Sequence, residues 1–214
     1  MCKVAKICCI ATLVFLLSTH IATSQESRYK QFRKLSCPEK QWVLFHPFSA
    51  KKAFRITVEA RSVVKTIMDN QQLDGDNNGG QIDAFRHAYW MARLSQEMHW
   101  RKVYKLGKAH EKGNKKYFKK HKTEDGTIPD AISCEMDLLN NDIGIEIGKN
   151  NKEINKEKLK QLIEKKVYTG EFWVIKKDKN SNFLDKEGNI LNPDDYIGKW
   201  ENKKCLVKSN YKRR

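Results

Sequence analysis

The chain has 214 residues, 42 of them basic and 26 acidic, giving a formal net charge of +16 at neutral pH. That length suffices for one domain with a real core, and no long apolar stretch follows the first two dozen residues, which argues against a membrane-embedded protein. A basic surplus of this size favours anionic partners such as nucleic acid, lipid headgroups or anionic glycans; lysines spread along the whole chain suit a solvated surface as well.

Lys3 and Lys6 open the sequence, an apolar run covers Ile7 to Leu17, and Ala22 and Ser24 precede Gln25. This is the three-part plan of a secretory signal peptide cleaved near Ser24. The run is 11 residues long, about half of what a membrane-spanning helix needs. The expectation is a secreted or periplasmic protein. Removing residues 1–24 leaves 190 residues and lowers the net charge to +14, because the segment carries two lysines and no acid. Cys37, Cys134 and Cys205 remain, an odd number for an oxidising compartment. A Cys37–Cys205 bridge tying the two ends together is the preferred pairing, though spacing alone does not decide among the three.

The predicted elements follow in chain order. Residues 25–48 read as an irregular lead-in with Pro38 and Pro47 and aromatic anchors Trp42, Phe45 and Phe48. Residues 49–170 read as a helical domain. Ala53, Ile56, Ala60, Val63, Val64 and Ile67 fall at three- and four-residue steps, one stripe on a helix that ends near Asp69. A loop follows at Asp74–Gly80. The next helix, from Gln81 to about Met98, is apolar on most sides, as expected of a buried central helix. A third helix runs from Trp100 to about Glu111, and the lysine-rich segment Lys112–Lys122 reads as a mobile loop. A fourth spans Ile132–Gly148 and a fifth Lys156–Val167. Residues 171–214 read as a small β-rich basic extension: a hairpin of Phe172–Ile175 with Ile190–Leu191 around a turn at 185–189, and a short strand near Cys205–Val207. The fold expected is mainly α, helices around a buried central one with a β-hairpin appendage.

Three clusters carry the residue types that chemistry uses. In Asp83-Ala-Phe-Arg-His-Ala-Tyr-Trp90, Asp83 and His87 are four apart, so the carboxylate can orient the imidazole. Taken alone, the arrangement also fits a core histidine satisfied by its neighbour. In Ala109-His-Glu111, His110 is predicted to point inward, and a second buried polar group calls for a partner or a shared ion. In Met136–Gly144, Asp137 and Asn141 share a face. Two asparagines and a glycine inside a helix oppose local propensity, as functional sites do; a tight helix contact at Gly144 is the plainer alternative. Together His87, His110, Glu111, Asp137 and Asn141 form a candidate N/O site, with His87, His110, Asp137 and Asn141 as ligands for zinc, manganese or iron, or as general acid–base groups. Separately, Asp74-x-Asp76-x-Asn78-Gly79 begins like a calcium loop, but Phe85 stands where the closing glutamate belongs.

These three segments resemble a bacterial family of secreted domains of unknown function with the signature DAFRHAYW, AHE and MDLxNNxIG. Related patterns occur in the C-terminal domains of some polymorphic toxins. The likeness covers about residues 75–150 and implies that Arg86, His87, His110, Glu111, Asp137, Asn140 and Asn141 belong together. It supplies no reaction. From the residues we expect a secreted hydrolase of an ester or phosphodiester: His87 as base or ligand, His110 and Glu111 its partners, Asp137 and Asn141 ligands or orienters, and Arg86 an anion clamp. The competing expectation is a non-catalytic secreted or envelope binding module in which the polar cluster is a buried structural network and the lysines hold an anionic surface.

Overall fold

The computed structural model describes residues 29–121, 123 and 127–213. The signal-peptide reading of residues 1–24 lies outside them. Residues 29–34 are helical, and the lead-in thereafter is helical too: α1 spans Cys37–Phe45. Ser36 caps it, its hydroxyl accepting from the Glu39 amide while the Glu39 carboxylate accepts from the Ser36 amide, and Pro38 sits in the first turn where a missing N–H costs nothing. The irregular reading of 25–48 thus missed a capping box that stands in the sequence as Ser36-x-x-Glu39.

Helix α2 (Pro47–Asp69) buries Ala53, Ile56, Ala60, Val64 and Ile67, the stripe expected. Helix α3 (Gln81–Glu97) is the buried central element; Ile82, Phe85, Tyr89, Met91 and Leu94 are fully enclosed. Helix α4 (Trp100–Phe118) runs on into the lysine-rich segment read as a loop, as far as Phe118. Lysine is a good helix former, and Lys115 and Lys116 in the last turn face the negative end of the helix dipole. Helix α5 (Ala131–Asn150) and helix α6 (Lys156–Tyr168) complete the helical body. Among the described residues, no helix is long and apolar enough to cross a membrane.

Helix α3 packs most extensively against α5, and also against α2, α4 and α6. The α3–α5 contact is close because small residues face one another. A methyl group on Gly144 would lie 2.4 Å from the Ala88 carbonyl oxygen, and one on Gly148 would lie 2.2 Å from that of Ala92. Backbone therefore touches backbone over a full turn, which is the tight contact foreseen at Gly144.

The β appendage differs in its pairing. Strand β1 (Trp173–Ile175) pairs antiparallel with β2 (Leu206–Lys208), Val174 opposite Val207. The expected pairing of Phe172–Ile175 with Ile190–Leu191 is replaced by isolated bridges, Lys177 with Phe183 around residues 178–182 and Leu184 with Ile190 around the 185–189 turn. A four-residue helix, α7 (Pro193–Tyr196), lies between. Among the described residues Cys37 is exposed and Cys134 and Cys205 are buried, and the preferred Cys37–Cys205 bridge is not formed. Noncovalent contacts hold the C-terminus instead. Arg213 reaches Asp74 at 2.8 Å and Asp76 at 2.7 Å, and Ser209 donates to the Val167 carbonyl at 2.7 Å.

Candidate functional site

The site begins where the glycine-rich loop turns into α3. Gly80 carries no side chain to cap the helix, and Asp74 takes that part by accepting from the Gln81 amide at 3.0 Å. Gly79 adopts a left-handed φ of 84° and donates its N–H to Asp83 at 2.7 Å. Asp83 is thereby fixed in the first turn, and one turn further on His87 shares its face. Burial pushes the Asp83 carboxyl above the ordinary carboxylate range, opposed by the charge of Arg86 and the Gly79 hydrogen bond.

Helix α5 supplies the opposite wall. Asp137 and Asn141, four apart, both meet His87. The Asp137 carboxylate lies 3.3 Å from His87 Nε2, and the Asn141 side-chain oxygen lies 3.2 Å from Nδ1. Asp83 lies 3.6 Å from the same Nε2. With the Asn141 oxygen facing it, Nδ1 carries the hydrogen. Nε2 then faces two carboxylates, and a bare lone pair there would be repelled. Positive charge eases this: the Arg86 guanidinium stands 3.4 Å from Nε2 and 2.6 Å from Asp83, and an imidazolium or a bound cation would serve the same end.

The spacing suits a cation. Ligand atoms about 2.0–2.2 Å from a shared ion stand about 3.0–3.6 Å from one another. Asp83, His87 and Asp137 offer ligand atoms that all lie within 4.8 Å of one another, the one such group of His, Cys, Asp and Glu among the described residues. His87 is only 3 % exposed, but Asp83, Arg86 and Asp137 line an open cleft of about 280 Å³. Asp130, Tyr196, Lys199 and Lys204 form part of its rim, so the β appendage builds one side of the cleft.

The other expected residues divide. Arg86 lies at the cleft with its guanidinium 2.6 Å from Asp83 and 3.4 Å from His87 Nε2. His110 comes near, its ring centroid 6.3 Å from that of His87, and packs edge-on against Trp90. It is half-buried, and its Nδ1 pairs with Glu39 at 3.0 Å. Burial tends to raise the Glu39 pKa, but the hydrogen bond and charge of His110 outweigh it and hold the carboxyl below its usual value. Glu111 is buried on another side of α4 and accepts from Asn114 at 2.9 Å. Asn140 is a clamp on β1, donating to the Trp173 carbonyl at 2.9 Å and accepting from its amide at 3.0 Å.

The loop of Asp74, Asp76 and Asn78, expected to begin like a calcium site, meets the chain's own cations. Lys177 donates to Asp76 at 2.6 Å and to the Asn78 carbonyl at 2.7 Å, and Arg213 bridges both aspartates. Calcium needs a cage of oxygens; an ammonium and a guanidinium fill this one. Reading the sequence alone missed Glu39, Lys177 and Arg213 as partners. Only Glu39 carried a signal, the Ser36-x-x-Glu39 box.

A family model described as a domain of unknown function (DUF6973) matches residues 40–171. The chain belongs to that family. The match includes α2 to α6 and all of Asp83, His87, Asp137 and Asn141, whereas β1, β2 and the contacts of Ser209 and Arg213 lie beyond it. No curated protein and no solved structure matches. The match bears out a domain-of-unknown-function family and brings no reaction with it.

Proposed function

We propose that this DUF6973 protein is a hydrolase that holds a divalent cation between Asp83, His87 and Asp137 and cleaves an ester or phosphodiester in the cleft above them. The observation that carries this reading is the convergence of two carboxylates and an imidazole nitrogen within 4.8 Å at the wall of an open cleft. The residues assign themselves roles by position. Asn141 fixes the His87 ring by taking its Nδ1 hydrogen, which turns Nε2 toward Asp83 and Asp137. Arg86, at the cleft wall, offers a guanidinium to negative charge developing on a substrate. A zinc, manganese or iron ion held there would supply Lewis-acid polarisation and a water of lowered pKa. Our reading of residues 1–24 puts the reaction outside the cytoplasm.

One observation favours the second reading, a binding module with a structural network: the Arg86 guanidinium already holds Asp83 at 2.6 Å, so the cluster can close on itself. The test is metal content by mass spectrometry after equilibration with zinc or manganese, beside hydrolysis of bis(p-nitrophenyl) phosphate and p-nitrophenyl acetate. One ion per chain, lost in His87→Ala and Asp137→Ala together with turnover, supports the hydrolase. A folded wild type that retains no ion and turns over neither ester would overturn it and leave the network.

A further inference from the structure

At the corner where α1 meets α2, three large apolar side chains stand in water. Leu44 is 69 % exposed, Phe45 81 % and Phe48 91 %. The corner forms because Pro47 starts a new helix immediately after His46 ends the last one. It is held from beneath by Trp42, which is buried, stacks on His46 and donates to the Lys102 carbonyl at 3.0 Å. Phe54, a turn and a half further along α2, is 40 % exposed. Singly exposed apolar residues need no explanation, but three within five positions on a rigid corner mark a contact surface.

The chemistry around the corner says what it contacts. From Lys40 to Arg55 the chain carries Lys40, Lys51, Lys52 and Arg55 and no acid. The neighbouring end of α3 and start of α4 add exposed Arg101 and Lys102, anchored nearby because Lys52 donates to the Glu97 carbonyl at 3.3 Å. Glu97 is the acid close to this rim, and it is already paired with Arg55 and Arg93. Aromatic side chains projecting from a basic surround are the makeup of a surface that inserts at an anionic bilayer interface. A second copy of the chain would bring the same basic rim against itself, and like charges across an interface repel.

We propose that this corner docks the protein on anionic lipid surfaces, with Leu44, Phe45 and Phe48 entering the headgroup region and the lysines and arginines meeting lipid phosphates. The geometry is compatible with an open cleft. Asp83 sits in the first turn of α3 and Glu97 ends it, so the two regions stand about 20 Å apart at 1.5 Å per residue. The corner and the cleft are therefore separate surfaces. The proposal does not depend on the hydrolase reading.

The test is co-sedimentation of the purified protein with vesicles of phosphatidylcholine alone and with about 30 % phosphatidylglycerol, with Phe45→Asp/Phe48→Asp and Lys51→Glu/Lys52→Glu double variants alongside. Both pairs are exposed, so circular dichroism and thermal melts are expected to match wild type. We expect binding to the anionic vesicles only, falling with added salt, and at least tenfold weaker in each double variant. Absence of binding, equal binding to both vesicle types, or unchanged binding in the phenylalanine variant would overturn the proposal. So would light scattering showing a dimer that the phenylalanine variant alone dissociates, since a second copy would then cover the corner.

Discussion

Replacing Gly144 by alanine sets two opposed effects against each other, and the sign of the result decides between them. In an isolated helix the change is stabilising by about 1 kcal/mol, because glycine loses more backbone freedom on folding than alanine. In this fold the new methyl would lie 2.4 Å from the Ala88 carbonyl oxygen and 2.8 Å from its Cα. Carbon and carbonyl oxygen approach to about 3.3 Å at closest comfort, and backbone atoms have no rotamer by which to move aside. Helices α3 and α5 must therefore separate by most of an ångström. A gap of about 0.5–1 Å forfeits a quarter to a half of each dispersion well along the contact, and overpacking of this kind typically costs about 1–3 kcal/mol. With backbone as the obstacle the cost lies at the top of that range, and after the helix-propensity gain we expect a net loss of about 2 kcal/mol, or roughly 4–8 °C in melting temperature for a chain of this size. The separation also carries Asp137 and Asn141 away from His87, whose Nε2 now lies 3.3 Å from Asp137, so metal affinity falls with stability. Chemical denaturation followed by circular dichroism, with metal content measured on the folded fraction, reads both. A variant as stable as wild type, or more so, would refute the close-contact argument.

Other expectations follow from single contacts. His110→Ala should keep the metal that His87→Ala loses, because the clustered ligand atoms are those of Asp83, His87 and Asp137 and His110 is not among them; equal loss in mass-spectrometric stoichiometry would put His110 among the ligands. Asn140→Ala strips both hydrogen bonds from the Trp173 backbone and should cost about 2–3 kcal/mol; hydrogen exchange should speed up at 173–175, and unaltered protection there would deny the clamp. Lys177→Met leaves Asp76 with Arg213 and the Asn78 amide and should cost about 2–4 kcal/mol at neutral pH, somewhat below the range for a fully buried pair because Asp76 is partly exposed. Burial tends to raise the Asp76 pKa, but Lys177 outweighs it and holds it below the ordinary 3.8. The stabilisation is therefore present above that value and lost as pH falls through the depressed folded value. The gap between wild type and variant should narrow in acid; a gap constant from pH 7 to pH 3 would count against the ion pair.

Periodicity and spacing determined much of this molecule. The stripe from Ala53 to Ile67 and the all-round apolar run from Ile82 to Leu94 placed α2 and the central α3, since a helix without a polar face has to be enclosed. Four-residue spacing put Asp83 with His87 and Asp137 with Asn141, because side chains one turn apart share a face whatever the fold. Capping chemistry at Ser36 and lysine's helix propensity through Lys115 and Lys116 were also present in the sequence, and the prolines and charge outweighed them in the reading.

Tertiary structure decided what those faces meet. Only the contact at Gly144 and Gly148 brings Asp137 within reach of His87, and nothing local in either segment encodes that distance. His110 was inward by periodicity, but α1 arrives with Glu39 and takes its Nδ1. The oxygens of the Asp74–Asn78 loop looked open to calcium until Lys177 and Arg213, 101 and 137 residues beyond Asp76, supplied the charge. Strand β1 found Leu206–Lys208 rather than its neighbour in sequence. Local pattern fixes which side of an element a residue occupies; partners far along the chain are set by packing, and in this protein the candidate site is made of such partners.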